Sequence, residues 1–424
     1  MSQGQLFTYK KKEIVREREN TPFVFNRQRD DSWDYRDIMA STGIYGIHPY
    51  PAMFHFMLVR RLLREFSKEK DWALDPFMGS GVSGVECLIS NRNFIGYDIN
   101  PLAVMITKVR TTPLDSKIFF RYLEKIITLH SSVKAEKIYF PNIDFWFDDY
   151  VISELAKLRS AILGISNPKI QNFFIIAFSQ TVRRVSLSDH NEFKLIRRKK
   201  RNGNMPVIKI FKEISIKNIG LLKSFYDEFK VAKSKIKLEP KNILETDLEP
   251  NSIDFIITSP PYGDSQTTVA YGQFSRLPLR WLGWDEKVDR DSLGSKKRKI
   301  SYELPSQILY QGIEKIAELN PKRAEEVFSF YFDLFRAITI MATALKPKGK
   351  VAFVVGNRKV QGVELPTDKI SADFFASLGF THSKTIVRAI CNKRMPSENS
   401  PTNIKGLKES TMKYEYIVLL KKNK

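Results

Sequence analysis

DWALDPFMGSGVSGVECLIS, residues 71–90, changes character twice. A short apolar run ends at Asp75 and has the length and composition of a strand. Glycines at 79 and 81 then mark a turn, after which Val82, Val85, Leu88 and Ile89 recur on one helical face. Strand, glycine turn and helix together make a ligand cradle: glycine lets the backbone approach a bound molecule, and the helix start presents unpaired N–H groups. Shortly beyond, NFIGYDIN (93–100) forms a second short strand ending at Asp98. Two short strands joined through a helix are consecutive strands of a parallel sheet, which sets the fold class as a doubly wound, Rossmann-like α/β domain.

The same stretch restricts the ligand. An acid at the end of the second strand can accept hydrogen bonds from both ribose hydroxyls of a nucleoside. DPFMGSG, however, lacks both the GxGxxG spacing and the GK[ST] of a phosphate loop, which points to a nucleoside cofactor without a pyrophosphate. S-adenosylmethionine is the common cofactor of that kind. Asp75, Pro76, Phe77, Gly79, Gly81 and Asp98 are the candidate cofactor residues, with Phe77 equally readable as core.

The strand–helix pattern returns at KNILETDLEPNSIDFIITSPPY (241–262). ILETD is expected as a strand ending at Asp247, which either contacts the cofactor's adenine amine or caps a helix. IDFIIT is a buried strand, and Ser259, Pro260, Pro261 and Tyr262 follow at its C-terminal edge, where open parallel sheets bind ligands. Two prolines cannot extend a central strand, so the run stops there. Farther on, residues 331–357 give a helix, a KPKG turn and an apolar strand, and IVRAI (386–390) and MKYEYIVLLKK (412–422) give two more strands. Near the start, IYGIHPYPAMFHFMLVRRLLREF (44–66) is a helix entered through a proline-fixed turn.

Composition bounds the partners. The 424 residues carry 69 Lys+Arg against 47 Asp+Glu, a formal net charge of +22. That excess favours a polyanion, and nucleic acid over a membrane surface, although any one basic run is more often a solvated loop. The two cysteines, Cys87 and Cys391, lack metal-ligand or redox spacing, and no signal pattern or long apolar span is evident, so a cytoplasmic bacterial or archaeal protein without metal or membrane is expected. Residues 1–44 are weakly patterned and form an N-terminal arm. Residues 111–240 interrupt the strand–helix alternation as a largely helical insertion, and the flanking 45–110 and 241–424 make up the catalytic domain. Arg183, Arg184, Arg197, Arg198, Lys199, Lys200 and Arg201 in that insertion, with Lys393 and Arg394 in a late loop, are the candidate nucleic-acid contacts.

HPYPAMF, DPFMGSG, YDIN and TSPPY, in that order, resemble the methionine-binding segment, glycine motif, ribose acid and catalytic motif of S-adenosylmethionine-dependent DNA amino-methyltransferases. The SPPY form is similar to that of the cytosine-N4 enzymes. By this resemblance His48 and Pro49 join the cofactor residues, and double-stranded DNA with a flipped target base becomes the partner, beside a cognate restriction endonuclease. The long insertion departs from the pattern and leaves open which segment reads the bases.

The chemistry agrees with the resemblance. The lone pair of an exocyclic amine on cytosine or adenine is delocalised into the ring, and acceptors must localise it. The two prolines fix backbone direction without competing N–H donors, aiming the carbonyls of Ser259 and Pro260, and the Ser259 hydroxyl adds an acceptor. Tyr262 offers a face to a base that has left the stack. His48 is a turn residue rather than a proton carrier, and Asp264 is better read as a loop cap than as a base. Neither cysteine suits the thiolate route to carbon-5 methylation. Adenine-N6 methylation uses the same amine chemistry but fits an Asp or Asn better than Ser259. RNA guanine-N2 enzymes share the DPF and PPY halves but often add an N-terminal RNA-binding domain, for which 44 leading residues leave no room. A non-catalytic DNA-binding protein would not need Gly79, Gly81, Asp98 and Ser259–Tyr262 intact.

Overall fold

The computed structural model describes residues 25–113, 115–189, 192–198, 205–229, 231, 233–263, 271–391, 398–399, 409–410 and 412–424. Lys199, Lys200, Arg201, Lys393, Arg394 and Asp264 lie outside them.

In chain order the strands are β1 (Arg27–Arg29), β2 (Trp72–Asp75), β3 (Asn93–Tyr97), β4 (Ile236–Glu239), β5 (Ile253–Thr258), β6 (Leu345–Val355), β7 (Arg358–Val360), β8 (Val363–Leu365), β9 (Phe380–Ala389), β10 (Glu398–Asn399), β11 (Glu409–Ser410) and β12 (Tyr414–Lys422). Eight form one sheet in the order β1-β9-β12-β6-β5-β2-β3-β4, with β7–β8 and β10–β11 as separate two-stranded ladders. Within the large sheet every neighbouring pair is parallel except those of β12, which runs antiparallel between β6 and β9. Chain order moves outward from β2 through β3 to β4 on one side and from β5 to β6 on the other. The winding therefore reverses between β2 and β5, the position at which open α/β sheets hold ligands beyond their strand ends.

Both faces of the sheet are covered. Phe255 and Ile257 of β5, with Ala352 and Val354 of β6, join one core, while Ile256, Val351, Phe353 and Val355 join the other. A strand buried on both sides must be apolar along its length, which is why IDFIIT and VAFVV show no alternation.

The helices are α1 (Phe56–Phe66), α2 (Val82–Ile89), α3 (Pro101–Arg110), α4 (Ser116–Ser132), α5 (Ile143–Trp146), α6 (Asp149–Leu163), α7 (Pro168–Val185), α8 (Val207–Glu228), α9 (Tyr271–Leu282), α10 (Gln307–Leu319), α11 (Pro321–Ala344) and α12 (Thr367–Ser377). Three of them begin alike: Asn100, Asn167 and Asn320 each accept a first-turn N–H ahead of a proline whose fixed φ suits that turn. Helices α4, α6, α7 and α8 pack on one another, and α7 packs on α3, so their apolar faces continue the core of one sheet face. The opposite face is covered by α10, α11 and α12. By length and composition α11 could cross a membrane, but Val327, Phe330, Tyr331, Leu334, Ile338 and Met341 bury it in that core.

Three expectations are corrected. ILETD is not a strand: Asn242 accepts the Leu244 N–H and closes a 3-10 turn over Ile243–Glu245. The strand beside β3 is instead β4, inside the range read as helical insertion, and its alternating Ile236, Lys237, Leu238 and Glu239 suit a half-exposed edge. The KPKG turn is absorbed into β6 as an irregularity, where Lys348 takes φ 65° and the register moves from Ile253–Leu345 to Phe255–Lys350. The leading segment also supplies β1, parallel to β9, and Arg27 holds Asp368 through two hydrogen bonds of 2.7 Å.

Candidate active site

The ends of β2 and β5 lie side by side at the winding reversal, and one hydrogen bond joins them. Thr258, the last residue of β5, donates through Oγ1 to Asp75 Oδ1 at 2.6 Å. Asp75 also accepts the Phe77 N–H at 3.1 Å and the Ser83 hydroxyl of α2. It therefore ties the glycine turn, the helix after it and the strand bearing the proline turn to one carboxyl group. At 1% exposure it lies behind the cleft rather than in it, so its expected role as a cofactor contact is corrected to that of a staple. Burial pushes its carboxyl up to about 6.

In front of this staple lies an open cleft lined by Tyr50–Phe54, Pro76–Ser80, Asp98–Asn100, Asn242 and Ile243, and by Ser259 and Pro261. Asp98 accepts the Gly79 N–H at 2.9 Å and the Asn100 N–H at 2.8 Å, which orients its carboxyl group at the cleft wall. Burial among the surrounding chain pushes this carboxyl, too, up to about 6.

Gly81 has φ +78° at the start of α2, and a Cβ there would lie 2.2 Å from the Thr107 side chain. Only glycine meets both demands, so Gly81 serves the packing of α2 on α3 and does not itself line the cleft. Gly79 does line it, at φ +51°, with Tyr50 3.3 Å from where a Cβ would be. Phe77 and Pro76 are wall residues, and Phe77 also packs against the core, so it serves both cleft and core.

Other expected residues lie elsewhere. His48 and Pro49 are outside the lining, which begins at Tyr50. The His48 Nδ1–H donates to the Pro49 carbonyl at 2.6 Å and its Nε2 accepts the Ser179 hydroxyl at 3.0 Å. Burial depresses its pKa to about 3, so it is a neutral turn residue. Asp247 is exposed and away from the cleft, because the 3-10 turn brings Asn242 and Ile243 to the wall instead. Pro260 and Tyr262 are not among the lining residues, and Tyr262 is half-buried, its ring packing in part against the core around β6.

Some residues of the site escaped sequence reasoning. Asn100 donates to Tyr50 Oη at 3.2 Å and Ser275 Oγ at 2.7 Å, joining three chain segments at the cleft floor. Tyr271, at the start of α9, faces Tyr50 with ring centroids 6.0 Å apart. Arg110 is fully buried and donates to the carbonyls of Ser80 at 2.7 Å, Tyr45 at 2.6 Å and His48 at 3.2 Å, clamping the glycine turn to the HPYP segment. Burial lowers its pKa to about 10. Asn100 and Tyr50 sit inside recognised motifs and could have been inferred; nothing local marks Arg110.

A nucleoside cofactor with a ribose and no pyrophosphate fits this wall. Asp98 can accept ribose hydroxyls, Gly79 leaves room for close backbone approach, and the buried Ser80 Oγ has no hydrogen-bond partner among the described residues. Residues 4–109 match the family described as DNA methylase. Over 412 residues, 88% of this chain and 90% of the other, the sequence is 36% identical to Type II methyltransferase M.MvaI of Kocuria varians.

The chain belongs to the DNA amino-methyltransferase family.

A second relative, Type II methyltransferase M.BsoBI of Geobacillus stearothermophilus, is 23% identical over 78% of this chain and 77% of its own length. A solved S-adenosylmethionine-dependent methyltransferase from Methanosarcina mazei aligns over 85% of this chain and 97% of that one at 10% identity, with a TM-score of 0.31.

The basic candidates of this methyltransferase do not form one group. Arg183 is buried at 7% exposure, with its guanidinium 4.0 Å from the Phe274 ring centroid and Nη1 donating to the Phe274 carbonyl at 2.7 Å. It cannot meet a phosphate there, and its assignment to nucleic acid is corrected: α7 packs this face against α9. Arg184, one residue on, is exposed. Arg197 bonds the Phe145 carbonyl at 2.9 Å and Arg198 pairs with Asp189, yet both retain exposed surface. In a further basic run, SKKRK (295–299), Lys297 reaches Glu326 at 3.2 Å and Arg298 lies 4.3 Å from the Phe332 ring centroid.

Proposed function

We propose that this DNA methyltransferase transfers a methyl group from S-adenosylmethionine to the exocyclic N4 amine of cytosine at a specific double-stranded site, as the modification partner of a restriction endonuclease. The observation that carries the reading is Ser259 at the end of β5, lining the cleft next to the wall formed by Asp98 and the glycine turn. A hydroxyl stands where a carboxylate or carboxamide would favour adenine.

When bound, the cofactor supplies an electrophilic methyl group. The chain's own residues supply position. Ser259 accepts an N–H of the amine and draws its lone pair out of the ring, while Pro260 and Pro261 hold the turn rigid so that acceptor and amine meet at fixed geometry. The target base leaves the duplex to reach the cleft, and stacking on Tyr262, about 1–3 kcal/mol, offsets part of the lost base stacking. Cys87 is fully buried and burial pushes its thiol upward, which disfavours a thiolate route to carbon 5. Arg184, Arg197 and Arg198 are proposed to hold phosphates, with the helices between 111 and 240 supplying part of the DNA-reading surface.

Nucleoside mass spectrometry of DNA methylated by the purified protein tests the assignment. N4-methylcytosine is expected, and N6-methyladenine as the product would overturn the cytosine reading.

A further inference from the structure

The proline turn is tied across the sheet by a chain of side chains that amine methylation alone does not demand. Tyr262 Oη lies 3.2 Å from Ser259 Oγ and 3.2 Å from Glu415 Oε1 on β12. Arg388 of β9 donates through Nη1 to Glu415 Oε2 at 2.8 Å. That guanidinium is itself fixed: Arg388 is 3% exposed, and its Nε and Nη2 donate to the carbonyls of Trp33 at 2.8 Å and Asp34 at 3.2 Å. The anchor of the chain is thus rigid, and its other end is Ser259, which lines the cleft at the end of β5.

Counting protons sets the direction of each hydrogen bond. A carboxylate paired with arginine only accepts, so the phenol proton of Tyr262 goes to Glu415. Tyr262 has no second proton, and its oxygen can only accept from Ser259. The serine proton is then drawn away from the cleft, and only lone pairs remain to face it. An untethered serine hydroxyl would rotate and donate to the ring nitrogen beside the amine as readily as accept from the amine.

We infer that Glu415 is a positioning residue which, acting through Tyr262, commits the Ser259 hydroxyl to accepting from the target amine. The inference rests on the reading of Ser259 as the amine acceptor given above. It also explains why an aromatic residue with a hydroxyl, and not Phe, closes the motif here: the ring serves the base and the hydroxyl serves the serine.

A double-mutant cycle in the full-length protein tests it. In Glu415→Gln, Arg388 retains the amide oxygen and the amide N–H groups face Tyr262, so the relay reverses. Its kcat is expected to fall about 10- to 100-fold, while cofactor Kd and DNA KM stay within about twofold. Tyr262→Phe keeps the stacking face and loses the relay, with a similar fall. The double variant is expected to be no slower than Tyr262→Phe, since Glu415 acts only through that hydroxyl. Multiplying losses, a change in KM or melting temperature in place of kcat, or wild-type turnover in Glu415→Gln would overturn the relay. Should Glu415→Gln fail to fold, wild-type kcat in Tyr262→Phe overturns it by itself. The rates are scored on whichever methylated nucleoside the wild-type protein makes. N6-methyladenine would then remove the cytosine reading and still leave the cycle to decide the relay.

Discussion

Asp75 and Asp98 end neighbouring strands and share an acidity pushed up to about 6, yet they have different roles. On the proposed reading, Asp98 accepts the ribose hydroxyls of the cofactor in its ionised form. Cofactor affinity is therefore expected to rise with pH through about 6 and level off above it, falling up to tenfold per unit below. The stability contribution of the same group has the opposite sign. A carboxyl raised above its unfolded value contributes most below about 4, and that contribution is lost as pH rises through about 6. Calorimetric titration of the cofactor between pH 5 and 8 checks the first statement, with Asp98→Asn expected to bind weakly and without that pH step. Unchanged wild-type affinity across the range would remove Asp98 from the ribose site. Asp98 was legible in the sequence because its chemistry needs only a strand end and a local glycine turn. The staple role of Asp75 was not, because its partner Thr258 lies 183 residues away.

Between elements, the decisive contacts are made by buried side chains that hold loops. Arg110 ends α3 and bridges the glycine turn to the segment leading into α1, while Tyr226 of α8 donates to its carbonyl at 2.7 Å. Arg110→Met leaves buried carbonyls without donors, at about 1–3 kcal/mol each. Cofactor affinity and melting temperature are expected to fall together, and Arg110→Lys should not restore either, because one ammonium cannot span carbonyls on two segments. Isothermal calorimetry with thermal unfolding measures both; rescue by lysine would show that charge, not the fork, is required. The same scale explains the misplaced strand. ILETD and KIKLE are both short and mixed in polarity, and local pattern could not rank them. Asn242 capping its own turn and an open edge beside β3 made the choice.

For the molecule as a whole, the formal net charge of +22 makes DNA affinity depend steeply on salt. With about 6–10 phosphates neutralised, log affinity is expected to fall with log salt at a slope of about −5 to −9. Fluorescence anisotropy over 50–200 mM salt measures it, and a slope shallower than about −2 would remove the polyanion reading. Arg183→Met is expected to leave the slope unchanged, because that guanidinium lies on Phe274 inside the fold. The doubly wound class, the glycine turn, the strand-end position of Asp98 and the Ser-Pro-Pro-Tyr turn after a strand were all legible in the linear chain. Each depends on neighbours in the chain: a φ that only glycine or proline suits, or an apolar run that must be buried. Tertiary structure alone decided that β2 and β5 adjoin, that Asp75, His48 and Arg183 face inward, and that Glu415 reaches Tyr262 from 153 residues away. Burial and hydrogen-bond partnership are properties of what the folded chain places alongside a residue, and one-dimensional spacing does not contain them.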